Sequence, residues 1–340
     1  MVKSFTPSFK RVETDKPVET SIKRIRRLLS EKRFDEALEE LEDIVRKDQA
    51  NAFVHSVIGR IKFKRREFDD ALRHFQIAIQ IDPANALQAY LRCARIHFMQ
   101  NDVDKARLAL ESAIQINPKS SLGYAGLGLI QWRQKDQVAA IELWKTALAY
   151  NPRMMPVRKR IAVAFYETGS RTEAVAQINA ALRIDPEDPE SYAIKGRFHL
   201  LDKEYKEAQK AYEDAVALDP EGKMQSIRYG LVEAYIQLNK FDQAESFLKE
   251  CSKRQESSAI VHKLWGDLYT AQGMYKEALE EYQGASLGAG ESLGIEGLEA
   301  LDLFVSDEDD EKWESMAISA RGAAGRILDA LRHAEKPGKL

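Results

Sequence analysis

Arginines recur in this chain at a fixed interval. Arg26, Arg60 and Arg95 stand 34 and 35 residues apart, and Arg197 falls three such intervals beyond Arg95. A guanidinium presents a planar fork of N–H donors that matches a carboxylate, so arginines in register suit the pairing of an acidic segment. Lys64, Arg92, Arg133, Lys159 and Arg160 lie at helical spacing from the same register positions and extend the stripe. Charges on a solvated helix face commonly do nothing specific, and that reading stands beside the first. The recurrence favours the binding face, because a random surface would scatter these residues.

The elements that must position these side chains are themselves repeated. "FDDALRHFQIAIQIDP" (68–83) is echoed by "VDKARLALESAIQINP" (103–118), "QVAAIELWKTALAYNP" (137–152) and "YKEAQKAYEDAVALDP" (205–220). One alanine marks each copy: Ala37, Ala71, Ala106, Ala140, Ala174, Ala208, Ala244 and Ala278, at intervals of 34, 35, 34, 34, 34, 36 and 34. A fixed period of this length indicates a stacked repeat architecture. Each copy reads as two helices, the second closed by a proline that cannot continue it, at Pro83, Pro118, Pro152, Pro186 and Pro220. Small residues fall where the two helices must approach: Gly59, Ala94, Gly128, Ala162, Gly196 and Gly266 in the first, and the alanines in the second. The irregular intervals place extra residues in loops, one between Pro83 and Ala106 and two in "EGKMQS" (221–226).

This pattern of period, small residues, aromatics and closing proline resembles the tetratricopeptide repeat, over roughly residues 18–290. The resemblance implies an all-α, right-handed superhelical solenoid of about eight helix-turn-helix units, with a concave groove that binds peptides or protein segments. The chain is then expected to divide into an N-terminal tail (1–17), the repeat array (18–290) and a degenerate ninth helix pair that caps the stack (291–340). Residues two, five, six, nine and thirteen of each first helix are expected to face the groove. Position nine carries Arg26, Arg60, Arg95, Leu129, Val163, Arg197, Glu233 and Asp267, so six copies tend to basic and the last two are acidic. The candidate peptide-binding residues are therefore Arg26, Arg60, Lys64, Arg92, Arg95, Arg133, Lys159, Arg160 and Arg197. Chaperone-binding members of the family hold a C-terminal carboxylate with lysine, asparagine and arginine at set positions. This sequence has arginine where that clamp has asparagine, so an acidic segment is expected and a chaperone terminus is not. The first and seventh copies depart from the pattern, with Ile25, Ile44 and Gln49 in one and Val232, Cys251 and Glu256 in the other.

The remaining residue classes exclude more than they propose. Fifty-one basic against 54 acidic residues, a net charge of -3, give no global bias towards nucleic acid. There is no glycine-rich phosphate loop, no CxxC pair and no nucleophile elbow, so neither an enzyme nor a cofactor is expected. Cys93 and Cys251 occupy packing positions and read as inert. The six histidines show no close metal-ligand spacing, and a metal is not expected. Phe63, Phe98, Trp132 and Tyr166 share one register position, where they either stack a ligand or pack between first helices. No apolar h-region opens the chain and no stretch is long enough to span a bilayer, so a cytoplasmic location is expected. Two functions remain: an adaptor that binds an acidic or mixed segment of another protein, and a self-assembling scaffold that recruits partners. The acidic run Asp307–Glu311 suggests either a solvated linker or a shield for the basic groove.

Overall fold

The computed structural model describes residues 24–25, 27–253, 259–274, 276–278 and 280–281. Among these residues the chain is helical throughout, without strands. Arg26 and everything proposed for residues 282–340, including the capping pair and the acidic run, lie outside the described residues.

After a helical stretch at 27–30 come α1 (Phe34–Lys47), α2 (Ala52–Lys64), α3 (Phe68–Ile81), α4 (Leu87–Met99), α5 (Val103–Ile116), α6 (Ser121–Arg133) and α7 (Gln137–Tyr150). There follow α8 (Met155–Glu167), α9 (Arg171–Ile184), α10 (Pro189–Leu201), α11 (Tyr205–Leu218), α12 (Gln225–Gln237), α13 (Phe241–Lys253) and α14 (Ala259–Ala271). First helices have 13 residues and second helices 14, with α13 one residue shorter. The described residues fall into two compact units that divide between Gly123 and Tyr124, within α6.

The turn inside each repeat has one design. A residue in the left-handed region ends every first helix: Lys32, Arg66, Asn101, Lys135, Gly169, Lys203, Asn239 and Gly273. Each stands five residues before a marker alanine, which confirms the register in all eight copies. The turn satisfies helix-end carbonyls that would otherwise be orphaned: Arg66 N donates to Phe63 O at 2.9 Å and Glu67 N to Lys62 O at 3.0 Å. Between repeats the loop is four residues at α7–α8 and α9–α10, five at α3–α4 and six at α11–α12, where the sequence places its insertions. In the six-residue loop, Asp219 accepts from Lys223 N and Met224 N, and Gly222 has a positive φ with the Arg228 guanidinium packed where a side chain would begin.

Packing within a repeat is close. All eight marker alanines are buried, as are Ala78, Ala113, Ala147, Ala181 and Ala215 one heptad later. In the first unit Leu28, Leu41, Val57 and Ile61 centre one core. In the second, Ile178 and Phe198 centre one cluster, and Ile227, Leu231, Leu248 and Leu264 another. Val232 and Cys251, the departures in the seventh copy, are fully buried packing residues. That copy adds Gly230, which sits against the ring of Tyr212 from the preceding repeat.

Candidate functional site

First helices of consecutive repeats lie side by side within each unit. In the first unit the Arg95 guanidinium of α4 sits 5.0 Å from the centre of the Phe63 ring on α2. In the second, Tyr166 of α8 stacks on Phe198 of α10, with centroids 4.3 Å apart and planes 5° from parallel. The Tyr166 hydroxyl donates to Asp202 at 2.8 Å, and Arg171 pairs with the same carboxylate. At Phe63 and Tyr166 the aromatic register position thus packs first helix to first helix. Phe98 is buried there too, whereas Trp132 rests against Trp144 of its own repeat's second helix at 5.7 Å.

The candidate cations divide into distinct environments. In the first unit Arg60, Arg92 and Arg95 are half-buried and Lys64 is exposed, all on the neighbouring helices α2 and α4. Arg95 adds a cation–π contact to Phe63. In the second unit Arg133 is exposed and Arg160 half-buried.

Lys159 differs from the rest. It is 9% exposed, its ammonium pairs with Glu190, and Asp188 lies 3.4 Å away. Asp188 also caps α10, accepting from Ser191 N at 3.0 Å and from Ser191 Oγ at 2.5 Å. The charge of Lys159 is therefore neutralised inside the fold, where it ties α8 to the start of α10.

Arg197 belongs to a line of mixed sign rather than to a row of arginines. Its charge acts on Glu167 of the preceding repeat and on Glu233 of the following one. Burial pushes both carboxyls above their ordinary value, and Arg197 opposes that shift in each. Glu233 also feels Lys263, which is bonded to Asp267 at 2.8 Å. Glu167 and Lys263 carry no signal in the position-nine register. The Lys263–Asp267 pair was legible as an i,i+4 spacing, but the opposition of Glu167 and Arg197 depends on how the repeats dock.

Two histidines also meet. His55 on α2 and His74 on α3 are 19 residues apart in sequence, and their Nδ1 atoms stand 3.0 Å apart. Spacing along the chain gave no sign of this pair. Cys93 and Cys251 are buried, and burial pushes the Cys93 thiol up to about 12. No helix among the described residues is long and apolar enough to cross a membrane.

Comparison with known proteins agrees with this architecture. Family patterns described as "Tetratricopeptide repeat" match residues 22–86, 62–130, 131–198 and 199–268. Anaphase-promoting complex subunit 3 of Schizosaccharomyces pombe is 23% identical over 154 residues, 45% of this chain and 23% of that protein. Small glutamine-rich tetratricopeptide repeat-containing protein 2 of Mycosarcoma maydis is 30% identical over 105 residues, 31% of this chain and 29% of that protein. This chain thus spans less than a third of the length of either relative. In fold, the crystal structure of a tetratricopeptide repeat protein from Parabacteroides merdae is similar at a TM-score of 0.56 and 14% identity, over 78% of this chain and 99% of that one.

Proposed function

Because this chain belongs to the tetratricopeptide repeat family, we propose that it is a non-enzymatic adaptor that holds an acidic segment of another protein against the first helices of its repeats. One observation carries the reading: Arg60, Lys64, Arg92 and Arg95 share two adjacent first helices of the first unit. Repeat proteins present extended surfaces that are rigid before the ligand arrives, so little ordering entropy is lost on their side. Single exposed ion pairs contribute little, but several cations within one Debye length, about 10 Å at 0.1 M salt, act together on one segment. In the second unit the acids around Arg197 oppose an acidic ligand, so the first unit is the binding region.

The test is fluorescence anisotropy with a labelled Asp/Glu-rich peptide and its Asn/Gln counterpart, at low and physiological salt. The acidic peptide should bind and the neutral one should not. Salt should weaken the complex, and Arg60→Glu with Arg95→Glu should weaken it several-fold without loss of helical signal. Equal binding of the two peptides, or an unaffected double variant, would overturn the reading. Light scattering over a concentration series addresses the scaffold alternative: growth of the particle with concentration would replace the adaptor with a self-assembling protein.

A further inference from the structure

Charge in the first unit is sorted by helix layer. The first helices α2 and α4 carry Arg60, Lys62, Lys64, Arg92 and Arg95 and no aspartate or glutamate. The second helix α1 carries six acids against Arg46 and Lys47, and α3 carries Asp69 and Asp70 against Arg73. The Arg95 guanidinium reaches the Phe63 ring, which brings charge of α4 onto α2. Lys64 is exposed, and Lys62 is held at 2.6 Å by Glu67, just beyond the end of α2. The first helices of the last two repeats lack this bias: α12 holds Arg228 and Glu233, and α14 holds Lys263 and Asp267.

The chain carries its own complement to the basic face. Asp307, Glu308, Asp309, Asp310 and Glu311 are five acids in succession, and no other run of acids in the chain exceeds two. The run lies outside the described residues, beyond their C-terminal end. Asp307 follows Glu281, the last described residue, by 26 positions. A span of that length extends to at most about 90 Å, against roughly 8–10 Å between packed helix axes.

We propose that Asp307–Glu311 docks on the basic face of α2 and α4 in the same molecule, and that the acidic segment of another protein must displace it. The inference rests on the adaptor reading and adds regulation to it. Charge complementarity selects the occupant: a run of five carboxylates meets two helices that carry five cations and no acid. The tether selects the copy. A segment on the same chain faces the site at an effective concentration that does not depend on how much protein is present. Weak pairings therefore suffice. Single exposed pairs contribute little, but a run of acids engages several cations at once. The contact stays reversible, because salt screens exposed charges beyond about 8 Å at physiological ionic strength.

Two measurements on the full chain test this. A carbodiimide couples an amine to a carboxylate only where the two are in contact. In chains that remain monomeric at low salt it should join Lys62 or Lys64 to the 307–311 run, read by mass spectrometry of the proteolysed product. Coupling of that run to these lysines only between two chains, or to neither lysine, would overturn the proposal. The second measurement is anisotropy of a labelled Asp/Glu-rich peptide with the native chain and with a neutral variant: Asp307→Asn, Glu308→Gln, Asp309→Asn, Asp310→Asn and Glu311→Gln together. The neutral variant should bind the peptide more tightly by at least about threefold, and adding Arg60→Glu with Arg95→Glu to both chains should erase the difference. Equal affinities of the native and neutral chains would dispose of the shield and leave the adaptor reading standing. Binding by neither chain would remove that reading, and this inference with it.

Discussion

Gly128 on α6 leaves the room that Trp144 on α7 occupies. A methyl carbon at Gly128 would stand 2.5 Å from Cδ1 and Nε1 of the indole, and the indole N–H donates to Ala125 O at 3.2 Å. The same trade recurs. Gly59 faces Phe75 and Gly196 faces Tyr212, each with under 3 Å to spare for a Cβ. Where the first helix has Ala94, Ala162 or Val232 instead, the facing position holds the smaller Leu110, Ile178 or Leu248, all fully buried.

The volume trade predicts a coupled pair. Gly128→Ala should destabilise the chain by about 1–3 kcal/mol, the usual cost of overpacking, although alanine is the better helix former. In a thermal melt, Gly128→Ala combined with Trp144→Leu should lose less than the sum of the two single changes, because the smaller side chain releases the clash. Simple additivity would contradict the packing described.

A second prediction isolates the backbone. Gly169 has φ +83° and no heavy atom within 4 Å of where its Cβ would lie. Gly169→Ala should therefore cost about 1 kcal/mol from conformation alone, with no clash to relieve. Urea unfolding measures it, and an unchanged midpoint would show that the turn tolerates any residue.

Lys159 predicts a separation of stability from binding. Asp188→Asn with Glu190→Gln leaves its ammonium mostly buried without a counter-charge, at a cost on the order of 3–5 kcal/mol. Lys159→Met, which removes the charge and keeps the length, should cost less and leave affinity for an acidic peptide unchanged. Loss of peptide affinity in Lys159→Met would return Lys159 to the binding face.

Tyr166 gives a pH dependence at the alkaline end. Burial, with the hydrogen bond to Asp202 next, pushes its hydroxyl up to about 12 from an ordinary value of 10. The protonated form is the one favoured by folding, so its contribution is fully present below about pH 10 and is lost as pH rises towards 12. Ionisation would remove the bond and set two anions together. Tyr166→Phe should show a smaller fall in melting temperature between pH 10 and 12 than the native chain. Identical falls would mean that Tyr166 does not report this linkage.

Periodicity and spacing along the chain were enough for the helical repeats, their interval and their packing positions. Helical periodicity, small residues and a closing proline act over a few residues, so they are written locally, whereas the left-handed turn is carried by Lys32, Arg66, Lys135 and Lys203 in four copies and had no sequence signal. Even the loop insertions before α4 and α12 were legible, since they interrupt an otherwise constant interval. Which charges are spent inside the fold was decided only by tertiary structure. Lys159 reads as one more basic residue until α10 brings Glu190 to it from 31 positions away. Arg197 reads as another arginine until docking sets it between Glu167 and Glu233. His55 and His74 were two unrelated histidines until α2 and α3 closed on each other. The physical reason is common to all three: a side chain's partner is set by the relative placement of separate helices, and periodicity fixes the face a residue occupies without fixing what stands opposite it.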